Sequence, residues 1–218
     1  MRTRLVVLTL WCVSVAGGAQ AQVTGAPRPQ APAAPTPTSA WLVRATANVY
    51  TLPDDDDYVQ PTVAADRGWL HLEARYNYED RHSGSAFVGW NLEWGPSVTL
   101  SVTPMFGVVI GDTDGVIPAL EVGLTWRSLE LYSEGEYVIP VETPDDRFLY
   151  NWSEASVWLT DWIRAGVVTQ RTRVYQTPRD TQWGLLAGVA VWRFEGTVYV
   201  FNPGSDDDFV VTSIGISF

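Results

Sequence analysis

The sequence contains no lysine, two histidines and one cysteine. The cysteine, Cys12, falls in an N-terminal stretch with the features of a secretory signal, so the mature chain carries no disulfide and no thiol chemistry. Trp11, large and directly before Cys12, argues against a lipoprotein site. Without lysine, all permanent positive charge rests on arginine, 14 residues against 25 Asp and Glu, for a formal net charge of −11. Removing Arg2 and Arg4 with the signal makes that −11 − 2 = −13. No basic patch exists, which excludes nucleic acid as a partner. No segment beyond the signal approaches the roughly 18 apolar residues of a membrane helix. Helical spans are excluded; a β-barrel is not.

Residues 1–21 read as the signal peptide: Arg2 and Arg4 form the positive region, Leu5 to Ala16 the apolar stretch, and Ala19-Gln20-Ala21 the cleavage site. Residues 22–40, containing APRPQAPAAPTPTS, are rich in Pro and Ala and cannot bury a core, so they read as a disordered periplasmic linker. Residues 41–218 form one domain of ordinary size.

Within that domain the chain is a series of alternating segments punctuated by turn signals, the pattern of an all-β protein. The segments are 42–52, 58–66, 69–80, 85–94, 97–110, 116–127, 128–140, 147–160, 162–176, 181–193, 195–202 and 209–218. They predict twelve strands, with ten as the alternative because the first two segments are the weakest. The connections PDDDD, DRHSG, GDTDG, VETPDDR, TPRDT and NPGSDDD are long and mostly acidic, and short links alternate with them. An even strand count with alternating long and short connections returns both termini to one side.

Each strand has an apolar and a polar face. Leu70, Leu72, Ala74, Tyr76 and Tyr78 oppose Trp69, His71, Glu73, Arg75, Asn77 and Glu79; Val98, Leu100, Val102, Pro104, Phe106, Val108 and Ile110 oppose Ser97, Thr99, Ser101, Thr103 and Gly107. A soluble antiparallel sheet alternates in the same way. Long uniform strands, Trp and Tyr at strand ends, and closure on an aromatic residue favour a membrane barrel with its apolar face outward. Pro104 within a strand predicts a bulge.

The signal, the strand pattern over 42–218 and the terminal FVVTSIGISF together resemble the small outer-membrane β-barrel proteins of diderm bacteria, of porin-like type. The stretch YVQPTVAADRGWLHLEARYNYED also resembles members of that class. The resemblance implies an antiparallel up-and-down transmembrane β-barrel in the bacterial outer membrane, with both termini periplasmic. It implies contact with membrane lipid and lipopolysaccharide, and no cofactor. In such proteins a last strand like this one, here carrying Ile214, Ile216 and Phe218, resembles the signal read by the barrel-assembly machinery. The resemblance brings no catalytic or ligand site.

The polar face carries the candidate chemistry: Glu73, Arg75, Glu121, Glu130, Glu134, Glu136, Glu154 and Arg164. Buried charges must be paired or wet, so these residues predict either a Glu–Arg network that stiffens the lumen or a polar conduit for small solutes. Twelve strands about 4.8 Å apart and tilted about 40° give a backbone radius of roughly 12 Å, which large side chains narrow further. Arg171 and Arg173 have the opposite parity to Arg164; either a bulge near Val168-Thr169 turns them into the lumen network, the favoured reading, or they stand outward beside lipid phosphates. The runner-up reading is a barrel enzyme or binding protein using the acidic extracellular rim. It rests on His82 with Asp80 and Ser83 and on hard oxygen ligands such as Asp112, Asp114 and Asp54–Asp57 for a divalent cation; the other histidine, His71, near the periplasmic end of its strand, is expected to hydrogen-bond in the lumen wall. Neither acidic run has the full calcium-loop spacing. Asn151-Trp152-Ser153 fits a glycosylation sequon inside a strand of a bacterial chain, where it has no meaning. The third reading is a soluble exported β-barrel with its apolar face inside.

Overall fold

The computed structural model describes residues 40–53, 56–142, 147–172 and 180–218. Signal and linker residues 1–39 lie outside them. Thirteen strands form one sheet: β1 (Leu42–Thr51), β2 (Tyr58–Arg67), β3 (Leu70–Tyr76), β4 (Gly84–Trp90), β5 (Leu92–Trp94), β6 (Val98–Ile110), β7 (Gly115–Trp126), β8 (Leu129–Pro140), β9 (Phe148–Trp158), β10 (Ile163–Thr172), β11 (Asp180–Val191), β12 (Phe194–Phe201) and β13 (Phe209–Ser217). Consecutive strands pair antiparallel except β4 and β5, which both pair with β6, and β1 pairs with β13, so the sheet closes on itself. β4 and β5 are one stave, because Gly89↔Met105 and Leu92↔Val102 keep a single register on β6. The result is a twelve-stave up-and-down barrel, with Leu42 and Ser217, the outer ends of its first and last strands, on the side of the short turns.

The break in that stave faces Pro104. A proline has no N–H to give the ladder, so pairing lapses at Trp90 and Asn91 opposite it. The predicted bulge is absent: β6 pairs with β7 in continuous register through Pro104↔Leu120. The bulge predicted at Val168-Thr169 is absent too. β10 runs in one register from Arg164↔Trp158 to Arg171↔Asn151 on β9, and from Ile163↔Val189 to Thr172↔Asp180 on β11. The segment predicted over 69–80 stops at Tyr76, where Asn77 enters the left-handed region at φ 57° and starts a hydrogen-bonded loop.

The short connections hold two to four residues and the long ones four to seven. Burial alternates with a two-residue period along the staves, most cleanly in β3 and β4. The buried parity contains His71, Glu73 and Arg75 on β3 and Ser101 and Thr103 on β6, while Leu72, Val88, Phe106, Leu120, Val167 and Leu185 are exposed. Water does not tolerate a contiguous apolar band of this extent around a monomer. That removes the soluble reading, whose apolar face would be interior. The exterior is built for lipid.

The interior is not uniformly polar. On the side of the long loops, Tyr50, Tyr150, Trp152, Val168, Leu186, Tyr199, Phe201, Phe209 and Val211 pack into one buried cluster. Phe87, Met105, Val109, Ile117 and Val138 form a second. Ring stacking binds the first together, with Phe201 and Phe209 centroids 4.8 Å apart at 7°. Aromatic and aliphatic side chains therefore fill much of the loop-side half of the barrel. Charge is concentrated nearer the middle and the short-turn end.

Candidate functional site: a charged interior cavity

Below the apolar clusters lies a cavity of about 210 Å³. Six glutamates line it, Glu73, Glu121, Glu130, Glu134, Glu154 and Glu195, against four arginines, Arg44, Arg75, Arg164 and Arg193. Tyr78, Tyr132, Tyr150, Trp152 and Tyr199 supply its aromatic wall. Arg44, Arg193 and Ser217 place its lower edge at the short-turn rim.

Two arginines organise the charge. Arg75 on β3 bonds Glu73 two residues away and reaches Glu136 and Glu134 on β8, the last through Nη2 to Oε1 at 2.6 Å. Its guanidinium also lies over Tyr78 and Phe87, 4.3 and 4.5 Å from the ring centroids. One cation thus serves three carboxylates at the boundary between the charged cavity and the apolar clusters. Tyr78 donates its hydroxyl to Glu134 at 3.1 Å, and the Tyr132 hydroxyl lies 3.1 Å from Glu121 and 3.2 Å from Glu134.

Arg164 on β10 holds the second group. Nη1 meets Glu154 at 2.8 Å, and Nη2 reaches Glu195 at 3.2 Å and Thr197 at 3.1 Å, both on β12. Glu154 also accepts from Trp152 Nε1 at 2.9 Å and from the Tyr199 hydroxyl at 2.8 Å. Between Arg164 and β12 stands Gly188, where a Cβ would come within 2.8 Å of Thr197 Oγ1 and 3.0 Å of Arg164 Nε. The glycine clears the arginine's path across β11. Glu130 accepts from Trp158 Nε1 at 2.8 Å.

Of the residues singled out in the sequence, Glu73, Arg75, Glu134 and Glu136 meet in one network, and Glu154 and Arg164 in the other. Arg171 does not join them. With β10 regular, it stands on the parity of Val167, on the outer wall opposite Arg164, and the absent bulge is the reason. Arg173 lies outside the described residues.

The structure adds members that sequence reasoning passed over. Arg44 and Glu195 sit on the inward parity of β1 and β12, and the same two-residue count would have found them. Asp66 was not legible. Its Oδ1 takes His71 Nδ1 at 2.8 Å and Asn91 Nδ2 at 2.7 Å, and Asn91 in turn accepts from Thr103 at 2.9 Å. This closed network fixes His71 in the wall near the short-turn end.

The loop residues considered for catalysis do not assemble. Ser83 is fully buried, with Oγ accepting from Thr113 N at 3.0 Å; Asp80 takes the Thr113 hydroxyl at 2.6 Å; exposed His82 faces Asp112 at 3.2 Å. Asp114 caps Gly111 N at 3.0 Å instead of sharing a site with Asp112. Among the described residues no group of three or more His, Cys, Asp or Glu is placed to hold a metal. Asp54 and Asp55 lie outside them.

No family model and no curated protein matches the chain. Solved structures do. A KdgM porin aligns with TM-score 0.54 at 11% identity, covering 81% of this chain and 98% of the porin. A KdgM porin in complex with disordered oligogalacturonate aligns with TM-score 0.57 at 12% identity, covering 80% and 99%. The chain has the fold of the KdgM porin. At this identity the likeness extends to the twelve-stave barrel and not to the lining of its interior.

Proposed function

We propose that the chain is a porin-like barrel of the bacterial outer membrane, cation-preferring and narrowed by the apolar clusters of its loop-side half, inserted with its termini and short turns on the periplasmic side. The observation that carries the reading is the excess of carboxylates over guanidinium groups in the cavity, six to four. In a confined, partly desolvated passage such an excess raises the local concentration of cations and repels anions. An oligogalacturonate is a polyanion, so this lining does not suit the ligand named for the second porin. Cargo of the opposite or no charge, of small size, suits it better.

Sidedness is supported by loop length, since short turns face the periplasm and longer loops the exterior in barrels of this kind. Membrane lipid is the solvent of the outer wall. The last strand, with exposed Ile214 and Phe218 and half-buried Ile216 on the outward parity, is the segment offered to the barrel-assembly machinery. Phe218 N donates to Val43 O at 2.8 Å, so this strand also seals the barrel against β1.

Planar-bilayer recording of the refolded full chain under a salt gradient tests the proposal. Small conductance steps with a reversal potential on the cation side are expected, shifted toward zero by Glu121→Gln with Glu134→Gln. A barrel that inserts and stays silent is a plugged, structural one.

A further inference from the structure

Tryptophan is unevenly distributed over the barrel surface. Trp41, Trp69, Trp90, Trp94, Trp126, Trp162 and Trp192 are all exposed and all lie at the short-turn end, whereas Trp183 is the one exposed tryptophan of the loop end among the described residues. Three exposed arginines share that rim: Arg67, Arg127 and Arg193. Each guanidinium lies over a tryptophan, Arg67 on Trp41 at 5.8 Å, Arg127 on Trp126 at 5.2 Å and Arg193 on Trp192 at 5.2 Å. None of the three carries an ion pair among the described residues. Asp161 is the one exposed acidic side chain of the described short turns. Two of these turns hold Arg127 (φ 54°) and Trp192 (φ 57°) in the left-handed region, where a glycine is the unstrained choice.

The opposite rim has the reverse character. Asp112, Asp206, Asp207 and Asp208 are exposed there. A ring of tryptophans marks a membrane interface, where an apolar face meets lipid and a polar edge meets headgroups. An unpaired guanidinium held beside that ring has its fork available to a phosphodiester.

We infer that the short-turn rim is a docking surface for anionic glycerophospholipid headgroups, with Arg67 and Arg127 each taking a headgroup phosphate beside its tryptophan; Arg193 also lines the cavity mouth and is left to it. The inference rests on the membrane-barrel reading but not on conduction. Charge complementarity selects the occupant: the rim is cationic where the aromatic belt meets the headgroup layer, and the acidic rim would repel the same lipid. The surface orients the barrel and anchors it against tilting.

The test uses refolded full chain in phosphatidylcholine vesicles doped with brominated phosphatidylglycerol or brominated phosphatidylcholine, read by tryptophan quenching. A preference for phosphatidylglycerol of about fivefold is expected at low salt, the scale of one arginine contact per retained lipid. Arg67→Gln/Arg127→Gln is expected to abolish it, while the loop-end control Arg81→Gln/Arg147→Gln retains it. If the double variant fails to insert, Arg127→Gln alone is expected to lose about half of the preference. No preference in the wild type, or its survival in the variants, overturns the inference. Failure of the wild type to insert and show heat-modifiable migration overturns the barrel reading instead.

Discussion

Arg75 and Glu136 meet across the barrel interior from β3 and β8, strands that are not neighbours, and 61 residues separate them. The pair is a strut through the lumen, not a contact along the wall. Glu136 is 1% exposed and Arg75 5%, so neither can rely on bulk water. Arg75→Met leaves Glu73, Glu134 and Glu136 without their shared cation, and a loss of about 3–5 kcal/mol is expected from removing one side of a buried ionic network. Urea unfolding in lipid vesicles measures it. Arg171→Met, on the outer wall, serves as the comparison and is expected to cost far less.

Gly188 and Gly196 separate two roles for glycine in the same sheet. A methyl at Gly188 enters the space where Arg164 crosses to Thr197, with 2.8 Å to Thr197 Oγ1. A methyl at Gly196 meets nothing closer than 3.9 Å. Gly188→Ala is expected to destabilise the barrel by about 1–3 kcal/mol through overpacking, while Gly196→Ala is expected to be neutral. The same urea titration decides. Equal effects would mean that Arg164 has another route to β12.

The staves were legible because side-chain period and turn chemistry agree along nearly the whole chain: Leu70, Leu72 and Ala74 against His71, Glu73 and Arg75 assign faces without any tertiary information. Pairing across the lumen was only partly legible. Parity puts Glu134, Glu136 and Arg75 on the interior, but which carboxylate meets which arginine depends on the closure of the barrel. The two misplaced bulges have a common cause. Each was introduced to rescue a local awkwardness, a strand proline and an outward arginine. The sheet accommodates both without inserting a residue, by interrupting the stave opposite Pro104 and by leaving Arg171 outside. The apolar clusters inside were illegible, because Phe87, Tyr199 and Phe209 sit on the parity that otherwise carries polar groups.

Glu79 makes a pH-dependent prediction in the loop that follows β3. Burial pushes its carboxyl above the ordinary glutamate range, and Arg75 and the Ser85 hydroxyl, 2.7 Å from Oε1, offset part of that. A carboxyl whose folded pKa is raised binds its proton more tightly in the folded state, so its ionisation opposes folding as pH rises through the ordinary range toward the raised value. Glu79→Gln removes that penalty and keeps an acceptor for Ser85. The variant is expected to be more stable than wild type at neutral pH, with the gain vanishing below the ordinary carboxylate range. Unfolding midpoints at several pH values check the sign; a variant weakened at neutral pH would show that the ionised form is the one the loop requires.

The lipid-facing wall supplies the last prediction. Val88 lies midway along the β4–β5 stave, 43% exposed on the outward parity, between Ala86 and Trp90. An arginine near the bilayer midplane costs about 2–4 kcal/mol on the outer face of such a barrel. The inward comparison must come from the cavity itself. Asn91 has inward parity but is 2% exposed and committed to Asp66 and Thr103, so Asn91→Arg would break a network instead of reporting on a face. Thr46 lines the cavity beside an excess of carboxylates and takes the role better. Val88→Arg is expected to lose most of its folded fraction in vesicles, and Thr46→Arg to fold as wild type with its charge compensated by the glutamates opposite. Folding yield by heat-modifiability reads both variants at once. A tolerated Val88→Arg with a disruptive Thr46→Arg would reverse inside and outside, and the acidic lining could then no longer be the wall of a pore.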